Sequence, residues 1–243
     1  TVAGGTNGAV TIRAGTGSTN TLTVNEAILT TPSGSAAGGS VILEAGGAVT
    51  LTAANNGTIT TTGTTAGSGG EVFIHAANGD ITLGKAITAQ GVGAGGNGAV
   101  VTVLADAGKI LVNAGIDVTK GSGTDGTIQL KASSDITDSS SGGLIGDTNG
   151  SLKAWSTGGK INLSASTTNA MKNASFRTDT TGADGSIKYY DTTDLTLTTV
   201  AAGLGTLTAP TGASANVAAT TKGAVTVAGG TNGAVTIRAG TGS

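Results

Sequence analysis

Few side chains in this 243-residue chain could do chemistry. His75 is its one histidine, and there is no cysteine. A thiolate metal site, a thiolate nucleophile and a disulfide therefore have no residues to draw on. Alternation along Gly70-Glu-Val-Phe-Ile-His-Ala76 points His75 outward beside Glu71 and Phe73, an ordinary place on a strand surface. Aspartates stand at 135, 138, 147, 179, 184, 191 and 194. Calcium takes several carboxylate and carbonyl oxygens, but none of these residues lies in a Gly-Gly-x-Gly-x-Asp nonapeptide or an EF-hand loop. Asp beside Gly is common turn chemistry, so no cofactor is expected and calcium is the alternative. Gly91-Val-Gly-Ala-Gly-Gly96 has the glycines of a phosphate cradle without the helix that would offer its N-terminus to the anion. Asn173-Ala-Ser175 fits the N-glycosylation pattern. An active site needs convergent acids, bases or nucleophiles, and the expectation is a protein that is not an enzyme.

Two surface arrays carry more information. Thr21, Thr23, Thr50, Thr52, Thr82, Thr137, Thr196 and Thr198 recur at outward strand positions, interrupted by Leu111 and Asn113. Stacked, they form a partial threonine ladder of a kind that could bind ice or carbohydrate, although Thr is also simply a good exposed strand residue. Ile42, Phe73, Val100 and Leu104 occupy outward positions of three successive segments and form an apolar patch. Such a patch marks a contact surface, either against a neighbouring fibre or under the chain's own loop from the 140–180 region.

Both arrays depend on a repeated strand. Gly8-Ala-Val-Thr-Ile-Arg-Ala14 alternates apolar and polar residues, and the phrase returns from Gly39, Gly70, Gly126, Gly159 and Gly185. From Gly98 the apolar set Val101, Val103 and Ala105 falls one residue late, which predicts a bulge. Second strands follow at Leu22–Val24, Val49–Leu51, Ile81–Leu83, Ile110–Val112, Ile136 and Leu195–Leu197. Third, shorter ones follow at Ile28, Ile59, Ile87, Ile116–Val118 and Leu144 or Ile145. Three strands per turn, with no candidate helices to cover a sheet, predict an all-β parallel β-helix whose coils bury each other's aliphatics. Between about 134 and 184 the pattern weakens, and larger loops are expected there.

Composition agrees with a narrow column. Glycine contributes 44 residues, aromatics 2 % and charged residues 11 %, while hydrophobics reach 37 %. A disordered linker would lack the patterned aliphatics. With a net charge of −2 and scattered Lys and Arg, nucleic acid is not an expected partner. No stretch is apolar enough to cross a membrane as a helix.

Residues 1–18 recur without a change as residues 226–243. Residues 1–225 therefore read as one unit of a tandem array, continuous with the next, which begins at 226. Seven or eight coils fit in the unit, counting an irregular turn around Gly223-Ala-Val225-Thr-Val227.

Gly79-Asp-Ile-Thr-Leu-Gly-Lys-Ala-Ile-Thr-Ala-Gln-Gly, with Gly47-Ala-Val-Thr-Leu-Thr-Ala and Gly126-Thr-Ile-Gln-Leu-Lys-Ala, resembles the repeat region of filamentous-haemagglutinin-type exoproteins. These are large adhesins exported by two-partner secretion in Gram-negative bacteria. The resemblance implies a right-handed β-helix shaft, an extracellular or cell-surface location, and no catalytic residues. The expected function is a structural repeat of a giant fibre or adhesin, its partners being adjacent repeats and neighbouring fibres in a biofilm-like mat. The alternative is a solenoid whose outward Thr and Asn rows recognise surface or matrix carbohydrate, or ice.

Overall fold

A short strand apolar on one edge cannot bury itself, and stacking coil on coil solves this in the computed structural model of the chain. The structure describes residues 2–3, 8–53, 56–146, 149–180, 185–197 and 235–239. Their strands form three parallel sheets, one per face of the coil, in about seven turns. The first sheet holds β2 (Val10–Ala14), β5 (Val41–Ala45), β8 (Val72–Ala76), β11 (Val100–Ala105), β14 (Thr127–Ala132), β17 (Ser151–Ser156), β19 (Asn173–Thr178) and β21 (Thr196–Leu197). The second holds β3 (Leu22–Val24), β6 (Val49–Leu51), β9 (Ile81–Leu83), β12 (Ile110–Val112), β15 (Ile136–Asp138), β18 (Ile161–Leu163), β20 (Ile187–Asp191) and β22 (Val235–Ala239). The third is built from two-residue strands: β1 (Val2–Ala3), β4 (Ile28–Leu29), β7 (Ile59–Thr60), β10 (Ile87–Thr88), β13 (Ile116–Asp117) and β16 (Leu144–Ile145). The fold is the all-β parallel β-helix that the periodicity predicts.

Registers are continuous through the stack. Val10, Val41, Val72, Val101 and Ile128 lie on one another along the first sheet, and Val49, Ile81, Ile110 and Ile136 along the second. With Ile59, Ile87 and Ile116 from the third they fill one apolar column. Strand backbones donate from coil to coil, as from Val10 N–H to the Ser40 carbonyl at 2.9 Å and from Ile81 N–H to that of Lys109 at 2.9 Å. Each coil thereby satisfies backbone groups of the next.

The coil corners explain the leading glycines. A Cβ on Gly70 would stand 2.2 Å from the Gly39 carbonyl oxygen, and one on Gly39 2.0 Å from that of Gly8. Close approach of stacked backbones, without left-handed φ, excludes a side chain at both positions. Inside the same corners Thr30 and Thr61 donate from Oγ1 to the carbonyls of Gly39 (2.6 Å) and Gly70 (2.7 Å). One coil later Ala89 accepts from Ala99 N–H where Thr61 accepts from Gly70 N–H. Ala99, not Gly98, is thus the counterpart of Gly70. Val101, Val103 and Ala105 fall in step with Val72, Ile74 and Ala76, so the bulge expected after Gly98 is absent. Loss of the threonine side chain at position 89 frees the space that a Cβ at 99 needs.

Two further expectations are corrected. Among the described residues of 134–184 there are no large loops; coils tighten along the stack from 31 residues between Val10 and Val41 to 22 between Leu152 and Ala174. The phrases beginning at Gly159 and Gly185 lie on the second sheet as β18 and β20. Their places on the first sheet go to β17 and β19, and Leu195–Leu197 contributes β21 to the first sheet. The turn expected around 223–227 lies outside the described residues.

Candidate functional site

Alternation on the first sheet sends two columns of side chains outward. One runs Thr11, Ile42, Phe73, Thr102, Gln129, Lys153 and Ser175, and the other Arg13, Glu44, His75, Leu104, Lys131, Trp155 and Arg177. Three members of the sequence-predicted patch belong here: Ile42 and Phe73 in the first column and Leu104 in the second. Val100 lies a step earlier, level with Thr127, because the strand register aligns Phe73 with Thr102. The patch is not exposed. Ile42, Phe73 and Leu104 retain 1 %, 0 % and 3 % of their surface, yet none belongs to the inner apolar cluster.

The second column is an electrostatic ladder. Arg13 Nε donates to Glu44 Oε2 at 2.6 Å. His75 Nε2 meets Asp106 Oδ2 at 2.8 Å, a partner from the following coil. Trp155 lies between two cations, with Lys131 Nζ 4.8 Å and the Arg177 guanidinium carbon 4.7 Å from its ring centre. Asp179 closes this group, accepting from Trp155 Nε1 at 2.9 Å and Arg177 Nε at 2.6 Å. The ring is thus packed between cations from the coils on either side of it. Lys153, in the first column, is half-buried, and desolvation holds its ammonium below the ordinary lysine range.

On the second sheet the outward column reads Thr23, Thr50, Thr82, Leu111, Thr137, Asn162 and Lys188. Three threonines adjoin before Leu111 breaks the row. Thr21 and Thr52 flank this column: Thr52 donates to Asn25 Oδ1 at 2.7 Å, and Thr21 borders a shallow depression with Ala14, Gly15, Thr19 and Asn20. Thr196 sits on the first sheet over Asn173, outside the ladder, and Thr198 lies outside the described residues.

The aspartates tie one coil to the next. Asp135 Oδ1 accepts from Lys160 N–H at 3.0 Å, and Asp138 accepts from the N–H groups of Ala165 and Ser166, each at 3.0 Å. Desolvation raises the Asp138 carboxyl pKa, and those backbone donors oppose the rise. Asp191 is fully buried, accepting from Met171 N–H, Tyr189 Oη and both the N–H and Oγ1 of Thr193. Burial, and then the Asp191 charge, push the Tyr189 hydroxyl pKa far upward, so it remains a donor. Asp147 and Asp184 lie outside the described residues. Among those described, no three His, Cys, Asp or Glu side chains converge as metal ligands would. Gly93 and Gly95 take left-handed φ values of 65° and 81° at a coil corner, and Asn173 Nδ2 donates to the Asn149 carbonyl.

Sequence reasoning missed the Trp155 cation stack and the Asp191 cluster. Gly150-Ser-Leu-Lys-Ala-Trp155 repeats the strand phrase and was the available signal for the first. Phe176, in the stretch where larger loops are expected, meets Tyr189 of the Gly185 phrase inside the column with ring centres 4.9 Å apart. No protein-family model, no curated protein and no solved structure matches this chain.

Proposed function

We propose that the chain is a shaft repeat of a giant extracellular bacterial fibre or adhesin, exported to the surface of a Gram-negative cell, in which successive units stack end to end. The observation that carries this reading is at the seam. β22, the strand of the second copy of residues 1–18, pairs in parallel with β20, Ile187 opposite Val235 and Asp191 opposite Ala239. A copy that pairs with the sheet supports reading the 225-residue period as a length of one column rather than as a bead on a string. Its role is mechanical and requires no catalysis: the shaft sets the reach of whatever it carries, and the unit count sets the length. The likeness of its Gly-cornered phrases to filamentous-haemagglutinin-type repeats supports the same reading.

The test is electron microscopy of polypeptides containing one, two and three tandem units. Seven coils at ~4.8 Å each should lengthen a straight rod by ~35 Å per added unit. Beads joined by bending linkers, with no such increment, would overturn the proposal.

A further inference from the structure

The strand that both copies of the duplicated stretch share does not take the same place on the coil. Val10–Ala14 opens the first sheet as β2 and pairs with β5, Val10 opposite Val41. Val235–Ala239, identical in sequence, closes the second sheet as β22, with Val235 opposite Ile187 and Ala239 opposite Asp191. Both are five-residue strands paired in parallel along their whole length, so they differ in face and not in kind. The order of faces along the chain is fixed: β2, β3 and β4 stand on the first, second and third sheets in turn, and β5 returns to the first. A strand that ends the second sheet of one unit and begins the first sheet of the next joins two different faces.

We propose that successive units of the shaft are turned by one face: the first sheet of each unit continues the second sheet of the unit before it, the second continues the third, and the third continues the first. The turn rests on the reading of the chain as a repeat of a continuous shaft. A parallel strand has two edges to pair. Val235–Ala239 holds the earlier strand β20 on one of them, and β2, at the start of a unit, holds the later strand β5 on the other, so a single strand serves both units at once. Three such steps restore the first face, and the pattern repeats after three units, about 100 Å at ~4.8 Å per coil. The consequence is for what the shaft can touch. Thr23, Thr50 and Thr82 stand outward on the second sheet and none of them is buried. The next unit carries its copies of them above the third sheet of this one, and the unit after that above the first. The threonine row is therefore presented in three directions around the shaft, and a planar surface such as ice meets it only once in three units.

A polypeptide of two tandem units tests this, because the sequence has no cysteine and a pair can be placed at will for a short bismaleimide crosslinker. The turned seam puts Thr236 beside Lys188, its register partner. A seam in line would put the same strand over the end of the first sheet, where β21 carries Thr196. Lys188 and Thr196 are both exposed, so a cysteine at either leaves the column undisturbed. Within one chain, Lys188→Cys with Thr236→Cys should crosslink several-fold more than Thr196→Cys with Thr236→Cys. The reverse ratio, or equal yields, overturns the proposal. Electron microscopy of the same material distinguishes its failure from that of the shaft itself. Rods longer by one unit that crosslink through position 196 keep the column and discard the turn, whereas beads on linkers discard both.

Discussion

Asp191 is the residue on which the late coils turn. Its carboxylate is out of water and accepts from four donors, at 2.9 Å from Met171 N–H, 2.5 Å from Tyr189 Oη, and 2.8 and 2.7 Å from Thr193 N–H and Oγ1. A buried charge is tolerable when it is satisfied in this way. Asn169, also fully buried, extends the polar core, its Nδ2 donating to the Leu163 and Tyr190 carbonyls and its Oδ1 accepting from Leu144 N–H. Asp191→Ala strands the Met171 N–H and the Tyr189 hydroxyl in an apolar interior, each costing on the order of 1–3 kcal/mol. Urea unfolding should show about 3 kcal/mol or more of lost stability with the slope unchanged. A loss below 1 kcal/mol would mean that water reaches these groups. Nothing local in Asp191-Thr-Thr announces that Met171, twenty residues earlier, donates its N–H to this carboxylate.

At the scale of the strand, one phrase serves more than one face. Val10–Ala14 builds β2 on the first sheet, and the identical Val235–Ala239 builds β22 on the second. Alternation says which residues face in, since that follows from the two-residue period of a strand. It does not say which face the strand joins, because the phase depends on how many residues each corner consumes. Assignment to a face therefore holds through Ile145 and fails beyond it, where the coils shorten. The outward columns were legible for the same reason that the strands were. Their burial was not, since alternation along a strand says nothing of what lies above the face. Nor was the Lys131, Trp155 and Arg177 stack, which requires the register between coils of unequal length. The corners are the rigid part of this code. Gly70→Ala would place its Cβ 2.2 Å from the Gly39 carbonyl oxygen, a contact that only backbone displacement can relieve. It should cost roughly 2–4 kcal/mol in chemical denaturation, well above the ~1 kcal/mol by which alanine ordinarily betters glycine in regular structure. A neutral or stabilising effect would show that the stacked corners can separate.

For the whole molecule, the ends of the column decide how it behaves in solution. Among the described strands, β2 and β3 have no partner on their outer side, and β21 and β22 end the same two sheets at the other end. Such edges template further pairing, and pairing one end with the other is a heterologous contact that grows without closing. Direction along the edge is fixed by the ladder: Val10 N–H bonds inward to the Ser40 carbonyl, so by the alternation of a parallel strand the N–H of Thr11 faces the open side. Thr11→Pro removes that outward donor while sparing the bonds that hold β2 to β5, the kind of place where a strand accepts proline. Sedimentation velocity over a concentration series should show head-to-tail species for the parent chain. Those species should fall several-fold for Thr11→Pro, while the unfolding midpoint moves by no more than a few degrees. If the variant associates as strongly as the parent, the first-sheet edge is not the growing end, and assembly must run through the faces of the column instead.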